Sequence, residues 1–420
     1  MTGRAVALSA VAGANRGALR RHNLGTVLRA IHLAGPISRA ELTDLTGLNR
    51  STIGDLAARL GSLGLVREVG ATDRGAPGRP SILLECSPDG ASVLAVDITV
   101  KRLRMARVGL GGQVLRRHEV PLTDRHRSPG EVGRLLREGA DLLRPRDVGS
   151  VGVGVGVAVP GIVRPTDGRV HAAPNLGWRD VPLGSLAATA LAAPVTVGND
   201  ADLGAWAEHL RGAGTHAGNL VFVAADIGVG GGVIVAGSLL RGHRGFAGEI
   251  GHIPVNPAGR PCRCGATGCW ETEIGLPALA RAAQRAGATG LPELLALAGV
   301  EPERVRQALQ EPTHWLAVGL ATLVAAYDPE VIILGGVLPQ WWEVSRVEIV
   351  DAVAGTLAGR AGPARLCVPV LGADATLMGA AETAFSTLLA DPEGCLASHP
   401  AELGGTVSVH AAPVLLPSGA

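Results

Sequence analysis

Short apolar runs that end in an acid or in glycines recur along this chain, and they limit its fold more than any other feature. They are SVLAVDI at 92–98, VGVGVGVAVPG at 151–161, VTVGND at 195–200, LVFVAAD at 220–226, GGVIVAG at 231–237 and EVIILGG at 330–336. Strands of this kind, with helical stretches among them, predict two α/β lobes with a cleft at the strand ends, where ligands settle. The 420 residues are 47% hydrophobic with only ten aromatics, so the core is built from Val, Leu, Ile and Ala. After SVLAVDI come RMARVGL, a Gly111-Gly112 turn and QVLRRHEV, which read as a β-meander, and then an amphipathic helix from Ser128 to Leu143.

The first 80 residues are different. They hold eleven Arg and no Lys against five acids, +6, which leaves −5 for the rest of a chain whose net charge is +1. A chain-wide pull on nucleic acid is therefore excluded, but a local one is not. Leu24, Val27, Leu28 and Ile31 give a first helix that stops at Gly35-Pro36. Ser38 and Glu41 form a capping box that opens a second helix, Gly47 turns the chain, and a third helix starts near Asn49 or Arg50. Two short helices joined by a tight turn make a helix-turn-helix, and a strand, a turn at 73–80 and a second strand make its wing. Candidate DNA contacts are Arg39, Asn49, Arg50, Ser51 and Thr52, with Arg74 and Arg79 on the wing.

Cys262, Cys264 and Cys269 fall within eight residues, with His252 upstream. Three thiolates and an imidazole would close a tetrahedral structural zinc site, and three buried free thiols are the alternative. Cys86, Cys367 and Cys395 lack partners in sequence. Such cysteine usage fits a reducing cytoplasm. The apolar start, Ala5 to Ala14, is too short for a convincing export signal, and glycines and Pro160 interrupt the longest apolar run, so no membrane span is expected.

Taken together, GRP at 78–80, Val159-Pro160-Gly161, Ala173 to Trp178 (APNLGW), Asn199-Asp200, Gly248 to His252 (GEIGH) and Cys262 to Glu271 (CRCGATGCWE) resemble the ROK family of repressors and sugar kinases. The resemblance runs from about Asn23 to Ala390 and implies an actin-like body of two RNase H-like lobes closing on a sugar. It assigns the zinc ligands as His252, Cys262, Cys264 and Cys269, and the sugar site as Gly161, Asn175, Asn199, Asp200, Glu249, His252 and Glu271. Domains are expected at 1–88 (winged helix-turn-helix), 89–202 (first lobe), 203–390 (second lobe with the zinc loop) and 391–420 (a tail).

In kinases of this family the first strand ends in an Asp followed by Gly-Gly-Thr, where this chain has Asp97-Ile98-Thr99-Val100-Lys101-Arg102. Both glycines are gone, so close approach of backbone amides to a phosphate is blocked. Gly228-x-Gly230-Gly231-Gly232 resembles the second phosphate loop, Asp328-Pro329 and Gly335-Gly336 resemble the adenosine region, and Asp200 matches the family's catalytic base. The reading is a non-catalytic, sugar-responsive transcriptional regulator, a repressor of carbohydrate genes. It acts on operator DNA as a homodimer or homotetramer. The alternative is a glucokinase-like ATP-dependent enzyme with a DNA-binding head, in which Asp200 alone would be catalytic. A regulator that senses the metal itself is a weaker third reading.

Overall fold

The structure is a computed structural model that describes residues 16–70, 82–144, 151–355, 360, 362 and 364–399. The wing turn with Arg74 and Arg79, the segment 1–15 and the end from residue 400 lie outside the described residues.

The head consists of α1 (Arg16–Ala34), β1 (Ile37–Ser38), α2 (Arg39–Thr46), α3 (Arg50–Ser62), β2 (Val66–Val69) and β3 (Leu83–Cys86). The first helix begins at Arg16, about two turns before Leu24, where the apolar spacing in the sequence starts. At α2 both halves of the capping box form: Ser38 Oγ accepts from the Glu41 amide at 3.2 Å, and Glu41 accepts from the Ser38 amide at 2.8 Å. Gly47 ends the helix with φ of 67°, a left-handed conformation that costs glycine little. The strands pair in the order β1-β3-β2.

The first lobe contains β4 (Ala91–Ile98), β5 (Arg102–Gly109), β6 (Val114–Pro121), α4 (Pro129–Leu142), β7 (Val151–Val159), β8 (Ile162–Arg164), β9 (Arg169–Ala173), β10 (Trp178–Val181), α5 (Leu183–Leu191) and β11 (Val195–Asn199). Helix α6 (Asp200–Arg211) then leads to the second sheet: β12 (Leu220–Ala225), β13 (Val229–Val235), β14 (Ser238–Leu239), β15 (Val331–Gly336) and β16 (Arg365–Cys367). The sheet orders are β11-β7-β4-β5-β6 and β14-β13-β12-β15-β16. Each is three antiparallel strands followed by two parallel ones, so one topology occurs twice. Between β14 and β16 lie α7 (Trp270–Ile274), α8 (Leu276–Arg285), α9 (Leu291–Ala296), α10 (Pro302–Tyr327) and α11 (Leu338–Ala354), and the chain closes with α12 (Ala375–Ala390) and α13 (Pro392–Ser398).

Strand alternation sorts the core into layers. Leu94, Val96 and Ile98 of β4 face α4 and α5, while Val93 and Ala95 face α12. In the second sheet, Val221 and Val223 face α7 to α11, whereas Leu220 and Phe222 face α6. The two inner helices therefore meet between the sheets. Their approach is close, because a methyl group on Gly379 would lie 1.9 Å from the Leu203 carbonyl and one on Gly156 would lie 1.9 Å from the Ala380 carbonyl. Larger residues at either position would force the layers apart.

Two boundaries expected from sequence change. Residues 375–390 complete the first lobe, not the second, because α12 covers the inner face of the β4–β7 sheet. The chain from 391 does not begin a tail, since Asp391 caps α13 and Cys395 is buried against that same core. The core also runs without a break from Leu28, Ile31 and Leu60 of the head through Val93 and Ala106 to Phe385 and Leu389. Head and first lobe form one packed body.

Candidate functional site

Strand ends and one helix start assemble the cleft. Asn199 ends β11 and caps α6, accepting from the Ala201 and Asp202 amides at 2.8 and 3.0 Å. Its side-chain amide donates to the Gly161 carbonyl at 2.9 Å. Three of its hydrogen bonds are thus internal, and Asn199 organises the site more than it offers itself to a ligand. Gly161 has φ of 101°, and a Cβ there would lie 2.2 Å from the Ala172 carbonyl, so no other residue fits.

On the facing lobe, His252 Nε2 is 4.0 Å from Glu249 and its Nδ1 is 3.8 Å from Glu271. Glu271 also approaches Gly228, where a Cβ would lie 2.8 Å from its carboxylate and 3.6 Å from the Asn175 amide. Asn175, Glu249, His252 and Glu271 therefore converge. Asp200 joins them electrostatically. Burial, and then the charges of Asp97 and Glu249, push its carboxyl up to about 7. Burial raises Glu249 as well, with Glu271 adding to the effect and His252 opposing it. Crowded carboxylates of this kind form an acceptor array into which a polyol's hydroxyls can donate.

Sequence reading missed four partners here. Arg263 Nη1 donates to Asn175 Oδ1 at 2.6 Å, joining the cysteine loop to the other lobe. Arg104 pairs with Asp97, its Nε donating at 2.9 Å, and holds the Ala373 carbonyl at 2.8 Å. Asp202 Oδ1 is buried without a protein partner. Burial raises its carboxyl to about 8, and Arg241 opposes that shift. Arg241 and Arg104 carry no local spacing signal, because cross-strand and inter-loop contacts bring their partners in.

The donor atoms of His252, Cys262, Cys264 and Cys269 all lie within 4.8 Å of one another. Cys262 Sγ is 3.6 Å from His252 Nδ1, and Cys264 Sγ is 3.5 Å from Cys269 Sγ. These separations approach the edges of about 3.6 to 3.8 Å that a tetrahedral ion with thiolate and imidazole ligands requires. The donor set fits a metal ion. Trp270, fully buried and donating to the Trp315 carbonyl at 2.9 Å, anchors the loop to α10. With Nδ1 on the metal side, His252 Nε2 remains turned toward Glu249 and the cleft.

In the head, the Asn49 side chain caps α3, accepting from the Thr52 amide at 2.9 Å and from Ser51 Oγ at 2.8 Å. Arg39 is ion-paired with Glu68 at 2.6 Å. Arg50 and Ser51 are exposed at the first turn of α3.

The ROK family pattern matches residues 93–386. This chain belongs to the ROK family. The xylose repressor of Caldicellulosiruptor bescii is 30% identical over 342 residues, covering 76% of this chain and 84% of that protein. Among solved structures, a ROK family transcriptional regulator homologous to the E. coli MLC protein is similar at a TM-score of 0.71 and 25% identity, covering 90% of this chain and 98% of that one. A ROK glucokinase from Streptomyces griseus, solved with glucose and AMPPNP, gives 0.61 and 28% identity, covering 69% of this chain and 98% of its own. The body is the ROK sugar-kinase-type fold. Among the described residues, no helix is long and apolar enough to cross a membrane.

Proposed function

We propose that this ROK protein is a sugar-responsive repressor, and that its head binds operator DNA while its cleft binds a pentose or hexose. The observation that carries this reading is the layout itself: a head sharing one core with a ROK body, over the span that the regulator relative also covers. In the head, Arg50, Ser51 and Thr52 at the start of α3 take base edges and phosphates, and Arg74 and Arg79 of the wing add phosphate contacts. Asn49 sets the helix start, and Arg39 braces α2 against β2 through Glu68.

In the body, Asn175, Asp200, Glu249, His252 and Glu271 receive the sugar hydroxyls, while Gly161 and Asn199 hold the wall. The ion of the cysteine loop is zinc, bound by His252, Cys262, Cys264 and Cys269. With all four positions taken by protein, it supplies orientation and no activated water. A homodimer or homotetramer presents two heads to a palindromic site.

The chain does not transfer phosphate in this reading, and the turn after β4 supports that. The Thr99 hydroxyl accepts from the Lys101 amide at 3.3 Å and the Arg102 amide at 3.1 Å, so these donors are already committed. Asp97 is buried against Arg104. Gly230, Gly231 and Gly232 lie in β13, where Ala201, Ile250 and Ala205 pack too close for a side chain, which explains their presence without nucleotide.

The experiment is a thermal-shift screen of the zinc-loaded protein against D-xylose, D-glucose and N-acetylglucosamine, with a coupled ADP-release assay in parallel. A sugar that raises the melting point without ADP release supports the reading. Turnover abolished by Asp200→Asn would instead identify a kinase.

A further inference from the structure

Three polar side chains outside the cleft meet where the head joins the body. His32 lies near the end of α1 and is fully buried, Glu382 of α12 is 4% exposed, and Arg211 is the last residue of α6. The Glu382 carboxylate accepts from His32 Nε2 at 3.0 Å and from Arg211 Nε at 2.5 Å. The Gly111 amide donates to His32 Nδ1 at 2.9 Å, which places the ring proton on Nε2, facing Glu382. Arg211 also donates to the His32 and Gly111 carbonyls, each at 3.2 Å, and its Nη2 lies 2.6 Å from His32 Nε2. Phe385 meets the imidazole edge-on, with ring centroids 5.1 Å apart. Head, α6, α12 and the β5–β6 turn are thus tied at one point.

A buried ionic cluster is a weak device for stability, since apolar residues of equal volume do as well or better. The surrounding core is already apolar, with Leu28, Ile31 and Phe385. What the polar set adds is register, because its hydrogen bonds form together in only one alignment of the elements that carry them.

Helix α6 makes that alignment depend on the cleft. Its first turn carries Asp200 and Asp202, with Asn199 as cap, and its last residue is Arg211. Twelve residues of helix span about 18 Å and behave as a stiff rod. The helix rides on the inner face of the second sheet and crosses α12 closely at Gly379, with Leu203 and Ala207 packed into the core that α12 shares. Along this rod the fixed points are the Thr376 hydroxyl on the Asp200 carbonyl at 3.4 Å, Glu208 accepting from the Val370 and Leu371 amides at 3.1 and 2.8 Å and, at its end, the Arg211–Glu382–His32 contact, which reaches α1 of the head.

We propose that His32, Glu382 and Arg211 are positioning residues that transmit the state of the cleft to the DNA-reading helix. Sugar-driven lobe movement displaces α6, Arg211 re-aims its hydrogen bonds, and α1 re-seats the head. The inference rests on the sugar-responsive repressor reading above and names its route of coupling.

The test measures operator affinity of the full-length, zinc-loaded protein with and without the sugar that shifts its melting point. The probe is a duplex selected from a random-sequence pool. The wild-type ratio of the two affinities is expected to be at least about 5. It should fall to within about twofold of unity in Glu382→Gln and His32→Leu, while sugar affinity without DNA stays within about threefold of wild type. His32→Gln keeps an acceptor for Gly111 and a donor for Glu382, so it should restore most of the coupling. Variants that melt earlier yet keep the wild-type ratio would overturn the proposal and leave these residues as structural glue. Should Glu382→Gln not fold, the two His32 variants decide the matter. A wild-type chain that binds no sugar or no DNA defeats the repressor reading itself. That failure is distinguishable from binding both with a ratio the variants do not change.

Discussion

The same hairpin opens both lobes, and its turn is finished in opposite ways. In the first lobe, Asp97 near the end of β4 is buried against Arg104, and the Thr99 hydroxyl ties the turn to itself. In the second lobe, the equivalent Asp226 after β12 is exposed, and Gly228 lies beside Glu271 and Asn175. The first turn is sealed, and the far face of its sheet continues into the head through one core. The second stays open to the cleft, next to the cysteine loop. One topology thus packs against the head in one copy and borders the cleft in the other.

The strongest way to break this contrast is to remove a metal donor from the open lobe. Cys269→Ser is expected to bring zinc from one per chain to near zero and to weaken sugar binding about 10- to 100-fold. Operator affinity without sugar should change little, because the head packs on the other lobe. Metal analysis and titration calorimetry check this, and equal loss of both affinities would remove the distinction between the lobes.

Next in size is the sealed turn. Arg104→Ala leaves Asp97 buried without its partner and should cost about 3 to 5 kcal/mol in denaturant unfolding. ADP release should still be absent, because Thr99 continues to hold the turn's amides. Gain of kinase activity in this variant would show that Arg104 alone had closed the site.

The two ends of α6 sharpen the comparison through pH. Burial alone would raise the Glu382 carboxyl, but His32 and Arg211 outweigh it and hold it at about 2. Its contribution is therefore present above the ordinary carboxyl range, is lost as pH falls toward 2, and should disappear in Glu382→Gln. Asp200 is raised to about 7, so its folded form prefers the proton, and stability falls as pH rises from about 4 to 7. Asp200→Asn should flatten that slope, raise the melting point at pH 8 and abolish sugar binding. Sugar affinity of the wild type should increase between pH 6 and 8 as Asp200 ionises. Unfolding and binding curves across pH 3 to 8 test both ends.

The smallest effect concerns the head. Asn49→Ala removes a cap and should cost about 1 kcal/mol. Arg50→Ala should leave stability within about 0.5 kcal/mol of wild type and weaken operator binding, with sugar affinity intact. Loss of sugar binding in Arg50→Ala would point to misfolding.

What the sequence made legible was local. Ser38 and Glu41 lie three residues apart, Gly47 follows a helix, and Cys262, Cys264 and Cys269 share one loop, so spacing alone carries the signal. Short apolar runs about the Gly111-Gly112 turn likewise marked the β4–β6 meander. Contacts set by tertiary approach were hidden. Arg263 meets Asn175 across 88 positions, and His32 meets Glu382 across 350. The same reason hid the allegiance of α12, whose apolar face suits either sheet until the layers are stacked. Helix α13 was misread because Asp391 and Pro392, a cap and a first-turn proline, have the composition of a loop.

The central claim is a sugar-gated, non-catalytic DNA binder, and one titration addresses it directly. Fluorescence anisotropy of a selected duplex with the full-length protein would be followed as D-xylose, D-glucose or N-acetylglucosamine is added with ATP present and ADP release monitored. The account predicts an operator affinity that shifts at least about fivefold with one of these sugars while ADP stays at background. Steady ADP production, or an affinity for DNA that no sugar alters, would contradict it.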